Sequence, residues 1–417
     1  MQKHKLTFHR PYQFMILIFA IMTAMAFFYG TPTEIAQGLL AIVRSRAVLI
    51  TDFIEVGGLS ATLINVVFVG LFSTFLMIVA RAKPNGAIIM AIWLNVGFAF
   101  FGKNIYNMLP LPFGVWLFSK TQKQPFLNYT LVALLSATLS PIVSEISFGV
   151  WFSPSVDFIL GIVTGVGAGF ILPIISSAVL RVHEGYQLYN VGFAGGLIAM
   201  VFTLLLKTFG FHIETNMLWS EEYRFELALL LYIISASLIA MGIRFGEKNT
   251  WTHAKELLRK SGRAVSDFYI QFGDSIFINM GVLCACSTTM VLLLGMSVNG
   301  PVVGGILTIT AFGCFGKHIR NVLPVLVGAV LCAYLNSFAF DRGANALAVL
   351  FSTGLAPIAG QFGWIWGVIA GFLHVSLATH IGALNSGMNL YNNGFAGAFI
   401  ALFLVPIIIV FKKDEKS

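Results

Sequence analysis

Ten runs of roughly 20 consecutive apolar residues constrain this chain more than any other feature; they lie at 13–30, 58–80, 126–149, 157–181, 186–210, 225–245, 276–298, 342–362, 363–384 and 388–411. As helix, a run of that length crosses a hydrocarbon layer about 30 Å thick. Lipid offers a peptide backbone no hydrogen bonds, so each run that faces it must be helical. The charge content agrees: 10% of the 417 residues are charged, where a soluble chain carries about 25%. The sequence therefore reads as an all-α polytopic membrane protein, with the lipid bilayer as its first partner.

Several function classes drop out. The net charge of +8 comes from basic residues scattered through connections, with no aromatic-interleaved patch, so no nucleic-acid partner is expected. No G-x-x-x-x-G-K-[ST], H-E-x-x-H or G-x-S-x-G motif occurs, which leaves ATP-driven pumping and the familiar hydrolase chemistries without support. No enzyme activity, cofactor or metal is expected. Cys284, Cys286, Cys314 and Cys332 all lie in apolar segments and read as packing residues rather than as a disulfide framework or zinc site.

Two further pairs of apolar segments are short and interrupted by Gly, Asn, Pro and Lys: 86–101 with 104–119, and 300–316 with 318–336. They read as re-entrant hairpins or short tilted spans, buried in protein or lining a polar cavity. Each carries the same tip. FGKNIYNMLP at 101–110 matches FGKHIRNVLP at 315–324 in seven of ten positions, an offset of 214. RAVLITDF at 46–53 answers RAVSDF at 263–268, and Asn65 answers Asn279. YNVGFAGGLIAM at 189–200 matches YNNGFAGAFIAL at 391–402 in eight of twelve positions, at an offset of 202. The chain is thus a duplication, 1–222 and 223–417, with a basic cytoplasmic connection at 246–274.

Basic residues orient the halves. With a cytoplasmic N-terminus, 17 Lys/Arg fall in cytoplasmic connections and four (Arg44, Arg46, Arg224 and Arg342) in outer ones, the asymmetry that the positive-inside rule expects. The first RAV motif then lies outside and its copy inside, so the repeats are inverted. The start of the chain has the look of a signal peptide, yet run 13–30 has run 225–245 as its repeat counterpart and is expected to be kept. Both termini are then expected to be cytoplasmic.

Lys103 and Lys317 recur at one repeat position inside apolar segments, where an ionisable group is costly. Either they, with Asn107 and Asn321 and aided by exposed helix N-termini, offer donors to an anionic or carbonyl-bearing solute near the midplane, or each Lys snorkels or caps the preceding helix. The YN-x-GFAG copies either form a small-residue packing face between the halves, through Gly192, Gly196, Gly394 and Ala398, or let Tyr189, Asn190, Tyr391 and Asn392 line the pathway. Glu145 is a candidate for proton or cation coupling, with Gln361 as its counterpart. His374 and His380 read as hydrogen-bonded core residues. Asp52 and Asp267, beside Arg46 and Arg263, read as interfacial ion pairs or helix caps.

The paired FGK(N/H)I-x-N-x-LP and YN-x-GFAG motifs resemble an uncharacterised, Firmicute-type bacterial family of multi-pass membrane proteins, across about residues 46–411, and the resemblance implies a bacterial inner membrane location. GYQLYN at 185–190 and GMNLYN at 387–392 are similar to helix starts of urea-transporter-like channels, a resemblance that implies inverted halves of five spans plus a re-entrant segment. The N-N-P and L-P-x-x-T-x-P-F motifs of those channels are absent, so this likeness bears on fold alone. Inverted repeats with broken segments in corresponding positions are the architecture of secondary transporters. The expected function is a transporter or channel for a small polar solute, against the alternatives of a membrane-embedded enzyme or lipid-handling protein and of a scaffold. The small-residue helix faces also admit a homo-oligomer.

Overall fold

The computed structural model describes residues 9–211, 213–214, 217–246, 249–263, 266–335 and 343–414, and of 412–414 the backbone alone. Lys3, Lys5, Lys248, Arg342 and Lys416 of the charge reading, and 264–265 of the second RAV motif, lie outside these residues. Among the described residues ten helices are long and apolar enough to cross a membrane: Arg10–Tyr29, Phe53–Val79, Phe126–Phe148, Pro154–Val179, Asn190–Thr208, Arg224–Phe245, Phe268–Leu293, Gly343–Phe362, Trp364–Asn385 and Asn392–Phe411. Each answers one apolar run, and the boundaries move where a cap decides them. Asp52 accepts the Ile54 amide at 3.0 Å and starts its helix five residues before the apolar run. Residues 185–189 and 387–391 stay outside helix because their backbone serves the site described below.

The first helix of each half packs on the same neighbour, Arg10–Tyr29 on Phe53–Val79 and Arg224–Phe245 on Phe268–Leu293. Pro32–Arg44 is an amphipathic helix opened by a capping box, in which Thr31 and Glu34 exchange hydrogen bonds. The bonds from the Thr31 backbone and hydroxyl hold the Glu34 carboxyl below its ordinary range.

Two short helices occupy the centre. Gly86–Phe98 has 13 residues and Gly300–Ala311 has 12, so each rises about 20 Å at 1.5 Å per residue, too little for a full span. Apolar on all sides, they are buried nearly throughout. They cross at Gly97 and Gly304, where a methyl group on Gly304 would lie 2.8 Å from the Gly97 carbonyl oxygen. Asn85 and Asn299 cap them by accepting the Ile88 and Val302 amides.

The second arms, Pro110–Thr121 and Ile319–Leu335, dock through matching glycines. A methyl group on Gly114 would lie 2.1 Å from Val166 O, and one on Gly328 would lie 1.9 Å from Val368 O. These pairs of helices touch backbone to backbone.

Candidate functional site

The tip of each hairpin is built from its own side chains. Asn104 and Asn107 form a reciprocal cap, Asn104 Oδ1 accepting from Asn107 N and Asn107 Oδ1 from Asn104 N, both at 2.9 Å. The Asn107 amide then donates to Gly102 O and Ser144 Oγ, both at 3.0 Å. In the second copy Asn321 Oδ1 accepts from His318 N at 3.0 Å, while its amide donates to Gly316 O at 2.9 Å. The Asn107 amide is thus taken up by Gly102 and Ser144, and the Asn321 amide by Gly316 and, at 3.4 Å, by Ser261 O. Asn65 fastens the first tip to its long span, donating to Ala99 O and Lys103 O at 2.8 Å each; Asn279 makes the same bonds to Gly313 O and Lys317 O at 2.7 and 2.8 Å.

The helix N-termini are not free for a ligand either. Asp267 caps its own helix at Ile270 N (2.9 Å) and reaches Gly86 N (3.0 Å) and Ala87 N (3.4 Å) at the start of the other half's short helix. Asp52 reciprocates, accepting from Ile54, Ser220 and Gly300. Of the two readings for these aspartates, the cap is the one the structure shows. Arg46 and Arg263 turn elsewhere, Arg46 to Glu145 (3.9 Å) and Glu214 (3.8 Å), Arg263 to Glu184 (3.5 Å).

Lys103 and Lys317 neither snorkel nor cap with their amines; both are fully buried. Lys103 Nζ donates to Asn95 Oδ1 at 2.8 Å and to the Tyr391 hydroxyl at 2.6 Å. Lys317 Nζ donates to the Tyr189 hydroxyl at 2.5 Å and to Thr353 Oγ1 at 2.8 Å. Each half's lysine thus holds the other half's tyrosine. Such reciprocity is what a two-fold relation between like halves imposes.

The polypeptide around the tyrosines is reciprocal too. Helices Phe126–Phe148 and Gly343–Phe362 are interrupted by 3-10 turns at Ser136–Leu139 and Ser352–Leu355. Across the interface, Leu390 N donates to Thr138 O at 2.9 Å and Leu188 N to Gly354 O at 3.0 Å. This is why 185–189 and 387–391 stay out of helix: the Leu188 and Leu390 amides are spent on carbonyls of the interrupted helices, as burial demands. Gly192 and Gly394 bring the following helices together, and a methyl group on either would lie 2.8 to 2.9 Å from the tyrosine carbonyl of the other. The packing reading of the YN-x-GFAG motif therefore holds at its glycines.

Beside the tyrosines lies a cavity of about 400 Å³, lined by Tyr189, Asn190 and Tyr391 and by Phe98, Phe312 and Phe351. The rings form one cluster: Phe98 stacks on Phe351 at 5.5 Å and lies 4.5 Å from Tyr391, while Tyr189 lies 5.0 Å from Phe312 and 6.4 Å from Phe351. A second basin of about 440 Å³ shares Asn128 and Leu131 with the cavity and adds Arg81 and Lys83. The lysines stand behind this wall, not in it.

A family model described as "Protein of unknown function (DUF1576)" matches residues 31–208 and 246–410. The chain belongs to the DUF1576 family. No curated protein and no solved structure matches it. The two matched segments leave out the same element in each half, Arg10–Tyr29 and Arg224–Phe245, so the common part of this DUF1576 chain starts at corresponding places in both copies.

The remaining sequence candidates separate. Asn190 lines the cavity and is held by His183 Nε2 (2.9 Å) and Ser176, whereas Asn392 accepts from Asn385 at 2.7 Å and is not among the cavity-lining residues. Glu145 is fully buried, and neither carboxylate oxygen has a hydrogen-bond partner among the described residues; Gln361, its counterpart, is exposed. His374 is buried and meets Asn393 at 3.0 Å. His380 is exposed and bonds within its own helix to Ser376, so the core reading fails for it, because it points away from the bundle. Cys286 is exposed as well, unlike its three buried counterparts. No group of three His, Cys, Asp or Glu suited to a metal occurs among the described residues.

Sequence reasoning missed Asn95 and Thr353, the lysines' second acceptors, and Gln187 and Asn389, which accept the Tyr189 and Tyr391 amides at 3.2 Å. One signal was present. SATLSP at 136–141 and STGLAP at 352–357 share Ser, Leu and Pro, and they mark the interrupted turns.

Proposed function

We propose that this DUF1576 protein is an integral membrane transporter or channel for a small polar solute, with its pathway between two inverted-topology repeats, 1–222 and 223–417. One observation carries the reading: a cavity with an aromatic wall drawn from both halves, each half's tyrosine held by the other half's buried lysine. Solute sites of inverted-repeat carriers lie between the repeats at interrupted helices, and here the cavity adjoins two such interruptions. The Lys/Arg distribution supports the inversion and cytoplasmic termini, and the motif likeness to a bacterial family supports a bacterial inner membrane. On that orientation the basin at Arg81 and Lys83 is the cytoplasmic mouth.

The reading of a membrane enzyme needs Glu145, His374 and His380 in one cluster. Instead Glu145 faces Arg46, His374 faces Asn393, and His380 bonds to Ser376 and Thr379. The test is uptake into proteoliposomes of ammonium, urea, short carboxylates and amino acids, repeated with Lys103→Ala and Lys317→Ala. Uptake that both substitutions abolish is the expected result; uptake indifferent to both would remove the site, and no uptake of any solute would remove the function.

A further inference from the structure

Where the basic connection at 246–274 meets the bundle, it is fastened to the second hairpin tip and to the end of helix Gly343–Phe362. His318 Nε2 meets Lys260 O at 2.9 Å, the Asn321 amide reaches Ser261 O at 3.4 Å, and a methyl group on Gly360 would lie 2.1 Å from that same oxygen. Between these parts lies a pocket of about 480 Å³. Arg259, Lys260 and Arg320 line it, all three exposed, together with Gln361 and Trp364. No acidic residue lines the pocket, and none of the three cations is ion-paired among the described residues. His318 and Asn321 are spent on the connection, so the charges that remain are of one sign. A concave wall focuses their potential and favours an anion.

Beside the pocket runs a slot of about 210 Å³ that shares Leu258 with it and is lined by Trp251, Leu257, Phe272, Ile278 and Val282. Lys260 joins the two, its Nζ lying 5.7 Å from the centre of the Phe272 ring. An anion-collecting pocket that opens on an apolar slot fits an amphiphile better than a free ion. Trp364 is the first residue of the spanning helix Trp364–Asn385, so the pocket sits where that span meets the headgroups, the level at which Trp is enriched.

The duplication shows that this chemistry belongs to one copy. Tyr106 stands in the first half where Arg320 stands in the second, and Glu145 stands where Gln361 does. Tyr106 bonds to Ser147 Oγ at 2.6 Å and stacks on Phe158 at 5.3 Å, so the corresponding place is aromatic and acidic. On the proposed orientation the basic copy faces the cytoplasmic leaflet, whose surface potential is negative.

We propose that the pocket and slot bind an anionic phospholipid, its phosphate held by Arg259, Lys260 and Arg320 and an acyl chain laid along the slot. The site stands apart from the cavity between the halves and does not depend on transport. Purified full-length protein in detergent is unfolded thermally at fixed ionic strength with dioctanoyl phosphatidylglycerol, dioctanoyl phosphatidylcholine, glycerophosphate or inorganic phosphate. Well above its Kd, phosphatidylglycerol raises Tm by about 2 °C or more; the zwitterionic lipid gives clearly less, and the two soluble phosphates give no shift at the same concentration. Arg259→Gln, Lys260→Gln and Arg320→Gln, at exposed positions that should leave the lipid-free Tm near the parent's, each weaken phosphatidylglycerol binding about fivefold. Lys120→Gln with Lys123→Gln, on a different connection, leaves it unchanged.

Equal stabilisation by the two lipids, or affinity unchanged in all three Gln variants, would overturn the proposal. So would a loss of affinity in the Lys120→Gln, Lys123→Gln protein equal to theirs, which would reduce the site to diffuse surface charge. Glycerophosphate or phosphate binding as tightly as the lipid would also overturn it, by making the occupant a soluble anion. Uptake into proteoliposomes tests the cavity separately.

Discussion

Replacing Asp267 by Ala should unsettle two helices in opposite halves at once. Its carboxylate takes Ile270 N on its own helix and Gly86 N and Ala87 N on the central helix of the other half. Losing an N-cap costs about 0.5 to 2 kcal/mol, and a buried amide left without an acceptor costs about 1 to 3 kcal/mol. Asn85 keeps Ile88 N, so the first turn is not wholly stripped, and a total of about 2 to 4 kcal/mol follows. In a chain of this size that is a fall in Tm of about 2 to 5 °C, measurable by fluorescence-detected unfolding in detergent. Asp267→Asn keeps an acceptor oxygen and should recover most of the loss. If Asp267→Ala melted with the parent, the aspartate would not be tying the halves together, and the reciprocal capping by Asp52 would lose its meaning as well.

Gly328→Ala places a methyl group 1.9 Å from Val368 O and should cost about 1 to 3 kcal/mol by forcing the helices apart, seen as a lower Tm and a broader size-exclusion peak. Asn279→Ala removes two bonds to the second hairpin tip; a cost of about 2 to 3 kcal/mol is expected, with faster hydrogen exchange at 313–317. Arg46→Ala takes away the charge nearest to Glu145 and should destabilise, and adding Glu145→Gln should restore most of the loss, because a buried carboxylate without a partner is the costly element. A double-mutant cycle by thermal unfolding reads that coupling.

Much of this architecture was legible in the chain because lipid leaves few choices. An apolar run of about 20 residues must be helix, and duplicated motifs report duplicated geometry. Asn65 and Asn279 were visible as a matched pair, and they are the two pins of the hairpin tips. Cross-half contacts were not legible: nothing local to Lys103 reveals that its amine meets the Tyr391 hydroxyl, 288 positions on. Nor does the spacing of Asn107 show that its amide is used up at Gly102 and Ser144. Polar residues within one apolar segment look alike on paper, and only their partners separate a backbone clamp from a cavity wall. The glycine contacts at Gly114 and Gly328 show the same limit, since what each one meets lies on a helix 40 or more residues away.

The account depends on the two halves being inverted, and the sidedness of equivalent arms tests this directly. Lys120 and Tyr334 are exposed residues at corresponding places, one before the ends of Pro110–Thr121 and Ile319–Leu335. With Cys286 replaced, single cysteines at the two positions are labelled by a membrane-impermeant maleimide in right-side-out and inside-out vesicles. The account predicts labelling from opposite faces, position 120 from the cytoplasmic side and position 334 from the outer side. Labelling of both from the same face would make the repeats parallel and would contradict the pathway proposed between them.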